Sequence, residues 1–111
     1  LAGIGNYLRS EILFVARIDP NARIGDLTIA GKRALARAAL NLTRQSYRTG
    51  GITNDLAIAK RMQAAGDAFG RYRHWVFDRA GDPCHRCGTV IRRDDFAGRG
   101  LYWCTRCQAQ R

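Results

Sequence analysis

The sequence has almost no lysine. Of its 19 basic residues only Lys32 and Lys60 are lysine, and the other 17 are arginine. Acidic residues are also scarce, nine in all, which leaves a formal net charge of +10. An excess of that size points away from basic partners and toward a polyanion, because each contacted phosphate releases counterions. The codon composition of a GC-rich genome, which favours arginine, and a solvated surface explain the same numbers, so charge alone does not name a partner. Long hydrophobic runs are missing. None approaches the roughly 20 residues that cross a bilayer. The first residues lack the basic stretch, apolar run and small-residue cleavage site of a secretory leader. No internal repeat, low-complexity tract or Gly/Ser-rich linker is present. With 111 residues, the chain makes one compact domain or two small subdomains, and a metal staple helps so small a core to fold.

What is present begins with helical periodicity. Leu1-Ala2-Gly3-Ile4-Gly5 reads as a turn and Asn6 as the N-cap of a first helix, its side-chain oxygen taking an orphan backbone N–H. That helix runs to about Arg17 and stops at Asp19-Pro20. Leu8, Ile12 and Val15 form one apolar stripe, and Tyr7 and Phe14 another, so the helix is expected to be buried on two sides. Thr28 caps a second helix, in which Leu35, Ala38, Ala39 and Leu42 face inward and Arg33, Arg37, Arg44 and Arg48 lie on the other side, read as a solvated face with a phosphate-facing stripe as the alternative. Gly50-Gly51 ends it. Thr53 or Asn54 opens a third helix through Leu56, Ile58, Ala59 and Met62 to near Gly66. From Phe69 aromatic and β-branched residues take over, and the joint between a helical part (1–72) and a cysteine part (73–111) reads as packed rather than flexible.

Cys84, Cys87, Cys104 and Cys107 are spaced C-x2-C-x16-C-x2-C. Two residues within each pair let both thiolates reach one ion from a tight turn, and the stretch between the pairs accommodates a β-hairpin. Four thiolates around one Zn²⁺ make a closed, structural site with no position for substrate water. Disulfides, an iron–sulfur centre or a redox pair are the alternatives. Gly88 reads as the turn after the first pair, Thr89-Val90-Ile91 as one strand and Leu101-Tyr102-Trp103 as the other. His85 reads as a surface residue, not a ligand, and His74 as packed or solvent-facing. The fold class is therefore mainly α, a helical bundle followed by a small β-hairpin zinc finger.

Two features point at phosphate. Gly3-Ile4-Gly5-Asn6 opens a helix, where small residues allow close backbone approach and free N–H groups and the dipole favour an anion. Arg99 sits between Gly98 and Gly100 at the hairpin tip, where its fork can clamp a phosphate. Arg92 and Arg93 on the same finger read as solvated.

The run Gly5-Asn6-Tyr7-Leu8-Arg9-Ser10-Glu11-Ile12-Leu13, together with the four cysteines, Gly88, Arg99, Tyr102-Trp103-Cys104 and Cys107-Gln108, resembles the C-terminal domain of the formamidopyrimidine-DNA glycosylase and endonuclease VIII family. The pieces GNYLR-x-EIL and YWC-x-x-CQ are more similar to endonuclease VIII. The resemblance implies a helix–two-turn–helix motif and a zinc finger that grip damaged double-stranded DNA while a base is flipped out. It gives Gly5, Asn6 and Arg99 as contacts to the DNA backbone and Glu11 a structural place. It also implies a monomer in the bacterial cytoplasm, associated with the nucleoid. Extruding a nucleotide costs roughly a few kcal/mol, so clamps on both sides suit the task.

The family's chemistry uses an N-terminal proline amine, a following glutamate and a lysine of a β-sandwich domain, and none of these is in the 111 residues. By the same resemblance the chain begins at Leu1 inside the motif, and the motif's first helix is expected to be missing from it. It is therefore expected to be inactive alone, with the N-terminal catalytic domain of the same protein as its partner. That parent is expected to excise oxidised pyrimidines and cleave the abasic strand by elimination. A stand-alone zinc-ribbon nucleic-acid-binding protein is the alternative. A ribosomal protein with a related helical motif is a third reading, but it should carry long basic tails and no four-cysteine finger.

Overall fold

The computed structural model describes the backbone of residues 2–108 and the side chains of residues 7–108. Four helices precede a two-stranded hairpin: α1 (Ala2–Val15), α2 (Ile29–Thr49), α3 (Leu56–Ala64) and α4 (Phe69–Tyr72), then β1 (Arg92–Phe96) and β2 (Arg99–Trp103). A short 3-10 turn, Ile24–Asp26, leads into α2. No helix among the described residues is long and apolar enough to cross a membrane.

α1 starts earlier than expected, at Ala2, so Asn6 lies within the helix and is not its N-cap. Gly3 and Gly5 each weaken a helix by about 1 kcal/mol relative to alanine. Extending an existing helix still gains a backbone hydrogen bond per residue, and no proline interrupts the segment. The surroundings of Gly5 and Asn6 lie outside the described residues. At the other end α1 stops before Asp19-Pro20. Arg17 N–H donates to the Phe14 carbonyl and Ile18 N–H to the Leu13 carbonyl, both at 3.0 Å. Arg17 takes a left-handed φ of 60°. This is a Schellman closure, in which two orphan carbonyls are satisfied and the chain turns away.

α2 is capped as expected. Thr28 Oγ1 accepts from Gly31 N–H at 3.0 Å, and Gly50, at φ 74°, is the left-handed C-cap. Ala38 and Leu42 are buried, Ala38 in the cluster at the end of α1, while Arg33, Arg37, Arg44 and Arg48 are exposed. α3 differs from expectation by one residue or two at its start. Asp55 is the N-cap, accepting from Ile58 N–H at 3.0 Å. Thr53 and Asn54 are buried and bond elsewhere: Asn54 Nδ2 donates to the Tyr72 carbonyl at 3.1 Å.

The strands also differ. β1 begins at Arg92, after Thr89-Val90-Ile91. Those three residues serve the first cysteine turn instead: Cys84 N–H donates to Thr89 O (2.8 Å), Gly81 N–H to Ile91 O (2.9 Å) and Ile91 N–H to Asp82 O (2.9 Å). β1 and β2 pair antiparallel, from Arg92 opposite Trp103 to Phe96 opposite Arg99. Ala97 (φ 51°) and Gly98 (φ 81°) form the two-residue loop between them, with the doubly positive φ that matches strand twist.

The core has two parts that meet at α1. Phe14 packs with Val76, Ile91 and the buried cysteines, and Ile18 and Ala16 pack with Ala38 of α2. α1 is thus buried on two sides, as its two stripes suggest. The Tyr7 ring packs at a tilt against His74 with ring centroids 4.9 Å apart, and its hydroxyl is 2.9 Å from Ser46 Oγ on α2.

Between the two parts lies Glu11, wholly buried. Its carboxylate accepts from the backbone N–H of Trp75 (2.6 Å), Val76 (2.7 Å) and Phe77 (3.0 Å) and from Thr53 Oγ1 (2.5 Å). Burial pushes the Glu11 carboxyl above its usual range, and the hydrogen bonds from Thr53 and the backbone oppose that. With every donor aimed at an oxygen, the ionised form is the one the site fits. Thr53 has one hydroxyl proton and gives it to Glu11. His74 Nδ1, 2.8 Å from Thr53 Oγ1, must then carry its own proton and donate. The ring is neutral: burial, and secondarily the Arg73 charge, lower its pKa from 6.5 to about 3.

Glu11→Ala strands three backbone donors and a hydroxyl at once. Each buried unsatisfied donor costs about 1–3 kcal/mol, and whole domains are stable by only about 5–15 kcal/mol, so the variant should unfold in mild urea. Glu11→Gln keeps one acceptor and should lie between. His74 gives a pH prediction. Its folded pKa lies below its unfolded one, so its contribution is complete above pH 6.5 and is lost as pH falls toward 3. Between pH 7 and 5 the native chain should lose about 2 kcal/mol more than His74→Asn, by urea titration of both with zinc bound. Equal losses would contradict a neutral buried His74.

Candidate metal centre and nucleic-acid interface

The first cysteine turn follows Arg79, whose buried guanidinium donates to the Trp75 and Pro83 carbonyls, each at 2.7 Å. This pins the strap of residues 75–83 that carries Cys84. Gly88 closes the turn: its N–H donates to the Cys84 carbonyl at 2.9 Å, and its φ of 79° is cheapest for glycine. The second turn follows β2. Gln108 N–H donates to the Cys104 carbonyl at 3.1 Å, and Gln108 Oε1 accepts from Cys104 N–H at 2.9 Å. The same buried side chain donates from Nε2 to the Ile18 carbonyl at 3.1 Å, tying the second turn to the end of α1.

These turns bring all four expected ligands together. The sulfurs of Cys84, Cys87, Cys104 and Cys107 lie within 4.8 Å of one another. Cys84 and Cys107 are 3.9 Å apart and Cys87 and Cys104 3.4 Å. Zinc–sulfur bonds of about 2.3 Å put tetrahedral sulfurs about 3.8 Å apart, so one Zn²⁺ fits. Backbone N–H groups of Arg86 and Cys107 point at Cys84 Sγ and Cys104 Sγ, both at 3.4 Å, as thiolates require. Burial pushes the Cys104 and Cys107 thiols above their usual values, so a bound cation is what makes them thiolates. With four protein ligands the centre is structural, and it leaves no position for a reacting water.

His85 is not among the ligands, as expected, but it is half-buried rather than on the surface. Burial lowers its pKa to about 4. His74 is buried and tied into the Glu11 network. Beyond the structural place that the resemblance gave Glu11, the partners in that network and the Gln108 tie to Ile18 had no local signal in the sequence, because they join residues far apart in the chain.

The hairpin lies against α1 through β2. Tyr102 N–H donates to Ser10 Oγ at 3.1 Å, and Leu101 is buried. Within the hairpin, Arg92 makes a two-pronged contact to Asp94, at 3.1 Å on each oxygen, and Trp103 Nε1 donates to the same carboxylate at 2.8 Å. Arg92 is therefore exposed but engaged. Arg99 is exposed at the start of β2, beside the two-residue loop, with no ion pair among the described residues. The tip and α1 share a cleft of about 530 Å³ whose wall includes Leu8, Arg9, Ile12, Phe96, Ala97 and Arg99. Arg99 thus faces the same space as the part of α1 that directly follows Asn6.

Metal removal follows from this geometry. The purified chain should hold one zinc per molecule by elemental analysis. A strong chelator should unfold the hairpin and abolish the near-ultraviolet dichroism of Trp75 and Trp103, and added zinc should restore it. A chelated protein with an unchanged spectrum would show that the cysteines are not a structural zinc site.

The sequence matches a family model described as a zinc finger found in FPG and IleRS over residues 81–110. Over 108 residues, 97% of this chain, it is 41% identical to endonuclease 8 of Shigella sonnei. Over the same share it is 37% identical to formamidopyrimidine-DNA glycosylase of Parasynechococcus marenigrum. It spans 38% of the length of each relative. MutM (Fpg) of Thermus thermophilus has the same fold, with a TM-score of 0.74 at 32% identity over 96% of this chain and 40% of that one. A Lactococcus lactis Fpg bound to FAPY-dG-containing DNA, at 24% identity, agrees in fold with a TM-score of 0.74 over 96% of this chain and 37% of that one. Aligned along almost its whole length with relatives of both kinds, and matching the zinc-finger model, the chain is homologous to the C-terminal portion of the endonuclease 8 and formamidopyrimidine-DNA glycosylases.

Proposed function

We propose that this chain is the part of a base-excision-repair glycosylase and abasic-site lyase that grips duplex DNA around a flipped lesion. The observation that carries the reading is the hairpin tip: exposed Arg99, unpaired among the described residues, fronts the cleft that α1 also borders. In this reading Arg99 holds phosphate from the zinc-finger side, and Gly5 and Asn6 hold it from the start of α1. The charge of +10 supplies the sequence-independent part of the attraction. Cys84, Cys87, Cys104 and Cys107 hold one zinc and do no chemistry, so their work is to keep the tip in place. The helical part (1–72) and the finger part (73–111) act as one body through Glu11.

Catalysis belongs, in this proposal, to a domain of the parent protein outside these residues. The 111-residue chain neither cuts a glycosidic bond nor forms a Schiff base, and it works beside that domain as a monomer near the bacterial chromosome. Oxidised pyrimidines are the proposed lesions of the parent.

Binding of the zinc-loaded chain to a short duplex with an abasic analogue, against the same duplex intact, tests the reading. The lesion duplex should bind more tightly. Arg99→Ala removes a charge-assisted hydrogen bond and should weaken lesion binding by about tenfold or more, while reducing the salt slope by about one. Asn6→Ala should cost severalfold, and Arg44→Ala, on the outer face of α2, should cost less than either. Equal effects from all three variants would sink these assignments.

A further inference from the structure

Four thiolates around one divalent cation carry two net negative charges. Three of the four cysteines here are buried, where an unopposed charge is costly. The cleft beside the site, about 500 Å³, is lined by Arg17, Arg86, Arg106, Cys87 and Cys107, with no acidic residue in its wall. None of the three arginines is in an ion pair with a carboxylate among the described residues.

Each arginine comes from a different piece of the fold. Arg86 lies within the first cysteine turn. Its guanidinium sits 4.5 Å from the Phe14 ring centre and 4.9 Å from that of Trp75, and Nη1 donates to the Phe14 carbonyl at 3.2 Å. Arg106 lies within the second cysteine turn. Arg17 comes from the Schellman closure of α1, at a left-handed φ of 60° where glycine is the residue of least strain. An arginine at that place accepts strain and lines the same cleft as Cys87 and Cys107.

We propose that Arg17, Arg86 and Arg106 form a guanidinium collar that neutralises the dianionic zinc tetrathiolate and sets how tightly the chain holds its metal. The competing use of three arginines in a cleft is an anion site. Charge decides against it: three positive charges beside a group of two negative ones leave a net of one, a weak trap for phosphate.

The test is zinc retention by the zinc-loaded full chain against a chromophoric chelator, at low and at high salt. Outer partners of metal ligands are typically worth about 10- to 100-fold in affinity. Arg86→Gln should fall in that range, but it also loses its ring contacts, so Arg17 and Arg106, both exposed, decide the matter. Arg17→Gln and Arg106→Gln should each release zinc severalfold more readily than the native chain, and the double variant more than either. Arg17→Lys, which keeps the charge, should retain zinc like the native chain. The differences should shrink in about 1 M salt, where the Debye length is only about 3 Å. Arg44→Gln should change nothing. Zinc retention in Arg17→Gln and Arg106→Gln equal to the native chain would overturn the collar. So would retention unchanged but binding of inorganic phosphate lost, which would mark the cleft as an anion site. Neither result bears on the duplex-binding reading, since the collar rests on the zinc site alone.

Discussion

The Glu11 carboxylate, sealed from water, collects three successive backbone N–H groups of residues 75–77 and the hydroxyl of Thr53. An ion at that depth is tolerable only when its oxygens are filled, and here they are. The consequence reaches both ways along the chain. On one side the bonds fix the segment that leads through Arg79 to the first cysteine turn. On the other they hold Thr53, and through it His74, beneath Tyr7 of α1. One side chain therefore sets the position of the zinc finger relative to the helices, and with it the distance between the hairpin tip and α1.

Zinc completes the same constraint from the far end. The second cysteine turn is linked to the end of α1 by Gln108, and β2 is linked to Ser10. A hairpin of two five-residue strands has too little core to stand alone. Fastened at both ends to α1, it becomes a rigid arm that presents Arg99. In the proposed function affinity for a DNA backbone gains from such preorganisation, because the ordering of the arm is completed before the partner arrives.

Much of this was legible in the residues, and what was legible is local. The Thr28 cap, the Gly50 stop and the paired cysteines each act within a few positions of themselves. The misplacements have a common cause in long-range bonds. Thr53 and Asn54 look like caps, but Glu11 and Tyr72 engage them, and the capping falls to Asp55. Thr89-Val90-Ile91 has the composition of a strand, yet its carbonyls and N–H groups answer Gly81, Asp82 and Cys84 in the first turn. The helical start at Ala2 shows that two glycines do not outweigh helix propagation. His74 carried no periodic or motif signal, since its partners Thr53 and Tyr7 lie far off in the chain, and Gln108 stood out only as part of the Cys107-Gln108 pair, with no sign of the tie it makes to Ile18.

The proposed function makes the start of α1 and the hairpin tip one surface for a DNA backbone. The most direct measurement is amide chemical-shift mapping of the zinc-loaded chain as a short duplex with an abasic analogue is added. The account predicts the largest changes at residues 5–9 and 96–101, together, with the outer face of α2 unchanged. Changes concentrated instead on Arg33, Arg37, Arg44 and Arg48 would contradict it, and would mean that the duplex is held by the bare charge of α2 and not by the built surface.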